Sequence, residues 1–380
     1  MIIQSLRRIK AIAWKEFIQI RRDPRSLAMA LGIPIFLLII FGYGLSLDID
    51  HVRTIVWNQD QSSKLTRDFL LNFKNSKYFK IVGYTDNYRE IEHKINSGEV
   101  LLALVIPKDF SQFIESGKSA PLQLIADGSD ANTATIAIGY VRSVVSKYNV
   151  ELAVKTFTQV GLNPPKTLSV SSRVWYNMGL TSTWFIVPGV IAMIIMIIAA
   201  LVTSTCIAKE WERGTMEQLI STPVKAPELV IGKFIPYFAI GFFDLMVGVL
   251  MGEVLFGVPF RGSYILLIIL SSLFLTGALS QGILISVVAR TQLMASQLAS
   301  LTTLIPTLLL SGFIYPIFNM PKVVQALTYL VPARYYIIIL RDSFLKGNSI
   351  DVMWDEALFL LMFAFVMLAI SIRKFKKKVA

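Results

Sequence analysis

The sequence predicts an α-helical polytopic membrane protein with six transmembrane helices and an inserted extracytoplasmic α/β domain. Three observations carry this prediction. Of its 380 residues, 54% are hydrophobic and only 16% are charged, where a soluble domain carries about a quarter charged residues. Several apolar runs reach the roughly 20 residues that a helix needs to cross a hydrocarbon core about 30 Å thick. The basic residues sit beside those runs: Arg7, Arg8, Lys10, Lys15, Arg21, Arg22 and Arg25 precede the first, and Arg373, Lys374, Lys376, Lys377 and Lys378 follow the last. That is the distribution of a chain whose basic ends stay in the cytosol.

Residues 1–26 read as a cytosolic interfacial segment. Ile2, Leu6, Ile9, Ala13, Phe17 and Ile20 fall within an arc of about 80° on a helix, with Arg8, Lys15 and Arg22 opposite. Such a helix places its apolar stripe in the acyl boundary and its cations toward anionic headgroups. Asp23-Pro24 ends it. Charge interleaved with these apolar residues is unlike a cleaved signal peptide, so the segment is expected to be retained.

The first span is residues 27–47; its Gly32, Pro34, Gly42 and Gly44 are tolerable where neighbouring helices re-satisfy the backbone. Residues 48–178 then mix both charge signs. Val52–Trp57, Ile81–Tyr84, Val100–Ile106 and Leu122–Ala126 read as strands, and helical patterns over 62–73, 88–96 and 109–115 alternate with them. Ile138, Val141, Val145, Tyr148 and Leu152 form one apolar seam on a longer helix. Either it packs on the domain's own sheet or it meets a second copy or partner.

Residues 179–373 hold five further spans, at about 183–208, 230–256, 263–289, 293–316 and 355–372. Six spans put both termini on one side, the cytosol, with the 48–178 insert outside and the 209–229 and 290–292 loops inside. Within the outer 317–350 segment, Leu330–Leu340 is too short to span but apolar enough to re-enter the outer leaflet. Residues 374–380 form a basic cytosolic tail. No long internal repeat is visible.

The formal net charge of +12 would suit nucleic acid, but its position beside the spans, without stacking aromatics or a recognition motif, argues against that partner and for a lipid membrane. No catalytic constellation is found. There is no G-x-x-x-x-G-K-[ST] phosphate loop and no G-x-S-x-G elbow, and Ser280 and Ser311 read as helix-packing residues. His51 and His93 stand alone, and Cys206 is the single cysteine, so neither a metal cluster nor a disulfide framework is expected. The chain should carry no catalytic residue, resident cofactor or metal.

The most informative stretch is Lys209-Glu210-Trp211-Glu212-Arg213-Gly214-Thr215-Met216-Glu217-Gln218-Leu219-Ile220-Ser221-Thr222-Pro223. Gly214 lets the chain leave the preceding helix, Thr215 and Gln218 have capping-box spacing, and Pro223 and Pro227 stop propagation. Met216, Leu219 and Ile220 share a face. A short helix with an apolar face and acidic neighbours, held below the bilayer, suits insertion into a groove on a cytosolic partner; the plainer reading is an interfacial loop.

This stretch resembles the E-R-G-T-[ML]-E-x-L-x-x-[ST]-P element of ABC-2-type transport permeases, the membrane subunits of ABC exporters. Lys15-Glu16-Phe17 through Arg22-Asp23-Pro24-Arg25 is similar to that family's N-terminal interfacial helix. Leu310-Ser311-Gly312-Phe313-Ile314-Tyr315-Pro316 with Pro321 is similar to its end-of-span-five motif, and Pro332-Ala333-Arg334-Tyr335-Tyr336 through Arg341 and Lys346-Gly347 to its outer re-entrant segment. The large insert resembles the drug- or sodium-export branch. The resemblance implies a dimeric pore made with a second permease copy or a paralogue, one ATPase subunit per permease holding ATP and Mg, and an inner-membrane location. It further implies a coupling helix whose Glu210, Glu212, Gly214, Thr215, Met216, Glu217, Leu219 and Pro223 meet the ATPase. A periplasmic adaptor rests on family analogy alone.

Asp244 falls mid-span, where a carboxylate is expensive and so marks a candidate site. It is read either as part of a substrate or ion pathway with Gln281, Gln297 and Thr302, or as helix-to-helix glue with those groups and Thr303. Pro188, Pro236 and Pro306 mark possible bends. The substrate class left open is drug-like, lipid-like or cationic. The competing reading of the whole chain is a membrane-anchored scaffold presenting the outer domain to envelope partners.

Overall fold

In the computed structural model of the chain, residues 2–45, 51–159, 175–177 and 181–375 are described. Contacts divide it into two compact units, residues 1–46 with 173–380, and residues 47–172.

In the first unit, α1 is Ile2–Arg22. A second helix, α2 (Pro24–Leu27), leads through a π-helical turn into α3 (Ile33–Gly44). Only Ala30–Gly44 of this stretch is continuously apolar, which makes it shorter than a standard crossing. Part of the segment expected as the first span, residues 46 and 47, lies outside the described residues. Among the described residues, five helices are long and apolar enough to cross a membrane: α8 (Ser182–Glu212), α10 (Ala226–Val254), α11 (Tyr264–Ala289), Gln292–Leu310 and α16 (Trp354–Lys374). The fourth of these is α12 (Gln292–Ala299), a π-helical turn and α13 (Ile305–Leu310). Between α8 and α10 lies the short α9 (Thr215–Ile220). In the expected re-entrant segment, α14 (Lys322–Thr328) meets α15 (Pro332–Arg341) and its continuation to Lys346 at 78°. Pro332 opens α15, consistent with a break rather than a continuous helix.

Helix α8 is the core of this unit, with most of Ile186–Ala200 buried. Its neighbour α11 comes close because Gly282 has no side chain: a Cβ there would overlap Thr203 Oγ1 and the Ala200 carbonyl. Small residues at such a crossing replace the hydrophobic drive that lipid does not supply. Polar groups complete the contact. Thr203 Oγ1 lies 3.2 Å from Leu279 O, and Ser286 Oγ accepts from the amides of Ile207 and Ala208 at 2.9 Å.

The second unit holds a four-stranded sheet ordered β2 (Phe79–Tyr84), β1 (Val52–Asn58), β3 (Leu102–Ile106), β4 (Gln123–Ala126). β1 is parallel to both neighbours, and β4 is antiparallel to β3. The alternation of a strand sorts its side chains. Val52, Val56, Leu102, Leu104 and Ile106 pack in one cluster with Phe69 and Phe73 of α4 (Lys64–Lys74) and Phe110 of α6 (Phe110–Glu115). Ile55, Ala103 and Val105 pack in another with Ile91 of α5 (Tyr88–Asn96). Ser63 and Asn87 cap α4 and α5 through their side chains.

Of the seam expected on the long helix α7 (Ala131–Gln159), Val141 and Tyr148 are buried in the first cluster and Val145 and Leu152 pack partly against it, while Ala137 and Val144 rather than Ile138 complete the face, so its apolar face is used within its own unit. Tyr148 donates to Leu65 O at 2.9 Å, and burial pushes its hydroxyl up to about 12.

Candidate functional site

The first unit brings α1, the end of α8, α9 and the start of α10 to one place. Gly232 lets α1 approach α10, since a Cβ there would lie 2.8 Å from the Ile12 side chain and 3.2 Å from Ile9 O. One turn beyond Ile12 on α1, Glu16 faces Lys233, the residue that follows Gly232 on α10. Lys233 Nζ donates to Glu16 Oε2 at 2.9 Å and lies 3.1 Å from Glu210 Oε2 on α8. Tyr237, one turn beyond Lys233, donates to Glu16 Oε1 at 3.0 Å, and Lys15 reaches Glu210 Oε1 at 2.9 Å. Lys233, Glu16 and Glu210 are buried, at 1%, 4% and 5% exposure. Isolated, each charge would be prohibitive; two cations against two carboxylates cancel formally.

Further ties surround this centre. Glu228 accepts from Ser5 Oγ at 2.6 Å and from the Lys225 amide at 2.9 Å, and lies 3.3 Å from Arg8 Nη1. Arg8 also donates to the Pro223 carbonyl at 2.6 Å. Lys209 pairs with Asp23 at 2.8 Å. Glu212 accepts from the amide and side chain of Gln292, at 2.9 and 3.2 Å, and Arg290 stands 5.4 Å from the Trp211 ring centre. The segment around α9 is thereby braced against α1, α10 and the turn before α12.

The eight residues read as coupling contacts divide by exposure. Glu212, Gly214, Glu217 and Pro223 are exposed; Thr215 and Leu219 are half-buried; Glu210 and Met216 are buried. Met216 belongs to the main apolar cluster of the unit. Gly214 adopts φ 71°, the left-handed conformation that ends α8 and starts α9. The expected capping box is corrected: Gly214 occupies the cap, and the Thr215 hydroxyl, one position inside the helix, bonds back to Glu210 O at 3.3 Å.

The α1 stripe divides, with Leu6 and Phe17 on the exposed side and Ile20 turned inward. The inward face carries Ile12, Glu16 and Ile20, while Ile3, Leu6, Trp14 and Phe17 are exposed, with Trp14 stacked on Phe17.

Asp244 is 7% exposed, and its Oδ1 has no hydrogen-bond partner among the described residues. It lines two adjoining narrow clefts between α3, α8 and α10, one of them also walled by Leu279 of α11, each with room for little more than a water molecule. Gln281, Gln297 and Thr302 line neither. Gln297 and Thr302 are exposed, and the hydroxyls of Thr302 and Thr303 are satisfied by Leu298 O and Ala299 O on their own helix. The structure does not gather these groups around Asp244.

Sequence reasoning missed Lys233 and Tyr237 and gave Glu16 no role. A signal was present, because a lysine inside an apolar run carries the same cost that drew attention to Asp244.

Comparison with known proteins agrees in extent with the arrangement. The profile described as ABC-2 family transporter protein matches residues 24–373. The chain is 38% identical to YbhS of Escherichia coli (strain K12), a probable multidrug ABC transporter permease, over 99% of this chain and 98% of that protein. It is 30% identical to YbhR of the same organism, also a probable multidrug ABC transporter permease, over 92% and 93%. The linearmycin resistance permease protein LnrN of Bacillus subtilis (strain 168) is 22% identical over 97% and 99%.

Proposed function

The chain belongs to the ABC-2 family of transporter proteins, and from that membership we propose that it is the permease subunit of an ATP-driven exporter in a bacterial inner membrane. Its substrate is drug-like, lipid-like or cationic and leaves the cytoplasm or inner leaflet. Six spans, counting the short apolar helix Ala30–Gly44, keep both termini in the cytosol and send residues 48–178 outside. A separate cytosolic ATPase subunit supplies ATP and Mg and docks at α9. Two permease chains, identical or paralogous, form the pore, and the outer domain is available to a periplasmic adaptor.

The observation that carries this reading is the division of labour on α9. Glu217 and Gln218 are exposed, while Met216 on the same short helix is fully buried in the apolar cluster. A partner pressing on the exposed face therefore moves a group seated in the core. The Glu210–Lys233–Glu16 chain passes that displacement to α10 and α1. Closure of two ATPase subunits on ATP would thus tilt α8 and α10 together.

The test is purification of the chain from its native host in mild detergent, with identification of bound proteins by mass spectrometry. A stoichiometric Walker-motif ATPase, lost on Glu217→Lys, is expected. A chain that purifies without an ATPase would favour the scaffold reading.

A further inference from the structure

We propose that the open stripe of α15 binds the phosphate of a net-anionic phospholipid, with Arg341 as its main contact and Arg334 as a second cation. On α15 only Arg334, Tyr335, Ile338 and Arg341 are not buried. Arg334 and Arg341, seven residues apart, share one face with their Cα atoms about 10 Å apart along the axis.

Each guanidinium is held in place, but neither is neutralised. That of Arg341 lies 3.6 Å from the Phe185 ring centre on α8, and its Nε donates to Phe185 O at 3.3 Å. Its Nη2 is enclosed beside Gly189, where a Cβ would lie 3.4 Å from it and overlap the Phe313 ring. The bond from Nε lies at the surface, so a ligand reaches this edge of the group. Arg334 stands 4.0 Å from the Tyr329 ring centre and donates to Thr328 Oγ1. Among the described residues, neither arginine forms an ion pair. The adjacent acid, Asp342, is taken by Lys346 and Asn348. By contrast Arg8, Lys15, Lys209 and Lys233 of the same unit each meet a carboxylate.

The missing counter-charge selects the ligand. A cation left unpaired among apolar side chains at membrane depth is costly. The bilayer surface supplies phosphodiesters, and a guanidinium fork matches phosphate oxygens in pairs. Two arginines without a carboxylate favour a headgroup of net negative charge, because a zwitterionic one would bring its ammonium toward them. Phe185 and Ile314, exposed beside Arg341 and Phe313, offer apolar contact to the acyl chains. A free phosphate would gain nothing from them.

The inference goes beyond the export reading and draws on it only for the leaflet, the outer one; binding needs no ATPase. The full chain, purified in detergent and freed of lipid, is titrated with dioleoylphosphatidylglycerol and, separately, with dioleoylphosphatidylcholine, with native mass spectrometry as the readout. The anionic lipid should bind about tenfold tighter. Because the basic α1 also attracts anionic lipid, the variants are built on Lys10→Gln with Arg21→Gln, which removes two exposed α1 cations and should keep the preference. Adding Arg334→Gln and Arg341→Gln should bring the two lipids within about twofold, whereas adding Arg334→Lys and Arg341→Lys should retain the preference. Equal affinity for the two lipids on the unmodified chain would overturn the proposal without any variant. So would full preference in the folded glutamine variant, loss of preference on the α1 substitutions alone, or displacement of the lipid by millimolar inorganic phosphate. Absence of an ATPase partner would instead overturn the export reading and leave the lipid site standing.

Discussion

Lys233 and Glu16, 217 positions apart in the chain, meet at 2.9 Å in a fully buried ion pair that joins α10 to α1. Lys233 also reaches Glu210 on α8, so one ammonium holds three helices. Removing one partner of such a pair leaves the other charge buried, at a cost of about 3–5 kcal/mol.

Lys233→Met is therefore expected to lower stability by about 3–5 kcal/mol, because Glu16 and Glu210 would lose their shared cation. Glu16→Gln in the same background should restore part of that loss by removing one stranded charge. Thermal unfolding in detergent measures both. Strictly additive losses in the double variant would mean that the groups do not interact.

Glu217 and Met216 are adjacent on α9 but should respond oppositely. Glu217→Lys changes an exposed group and should leave stability within about 0.5 kcal/mol while abolishing association with the ATPase. Met216→Asp places a charge in the apolar cluster and should prevent folding. A double variant would confuse the two effects, so copurification is read on Glu217→Lys alone. Unchanged ATPase capture by that variant would remove the docking role.

Gly214 should tolerate Asn better than Ala. Its φ of 71° is left-handed, and a Cβ there meets nothing within 4 Å, so the cost is conformational rather than steric. Gly214→Ala is expected to cost about 1–2 kcal/mol and to misdirect α9, whereas Asn visits this region more readily. Unfolding temperature and ATPase capture for the two variants check it. Equal behaviour would mean that the turn is not held left-handed.

Apolar pattern and length made α1 and the long apolar helices legible, because an apolar run of about 20 residues is unstable in water and long enough to cross a bilayer. The orientation of α1 was not. Its inward face runs through Ile12, Glu16 and Ile20, and its exposed apolar face adds Ile3 and Trp14 to Leu6 and Phe17. Hydropathy separates water from non-water but cannot tell a protein neighbour from lipid, so two apolar faces merge into one narrow stripe. The ion centre was hidden by a different effect. Glu16 looks like any charge on a polar helix until α10 is brought against it, and Gly232, which permits that approach, has no hydropathy signature. At Asp244 the sequence showed the unusual carboxylate but placed Gln281, Gln297 and Thr302 with it. Residues inside different spans share no register that sequence alone can read.

The α8–α11 crossing gives the last prediction. At Gly282 a single added methyl would overlap the Thr203 hydroxyl and the backbone carbonyl of Ala200, and a backbone atom cannot rotate away. The helices must then separate, weakening the Thr203 Oγ1 contact to Leu279 O at 3.2 Å. Gly282→Ala should therefore destabilise the chain by about 1–3 kcal/mol, although alanine is the better helix former. Gly139, exposed on α7 with nothing within 4 Å of its added Cβ, is the control. There the same substitution should be neutral or stabilising by up to about 1 kcal/mol. Unfolding curves of the two variants decide the matter: if both shift upward, α8 and α11 are not in backbone contact at Gly282.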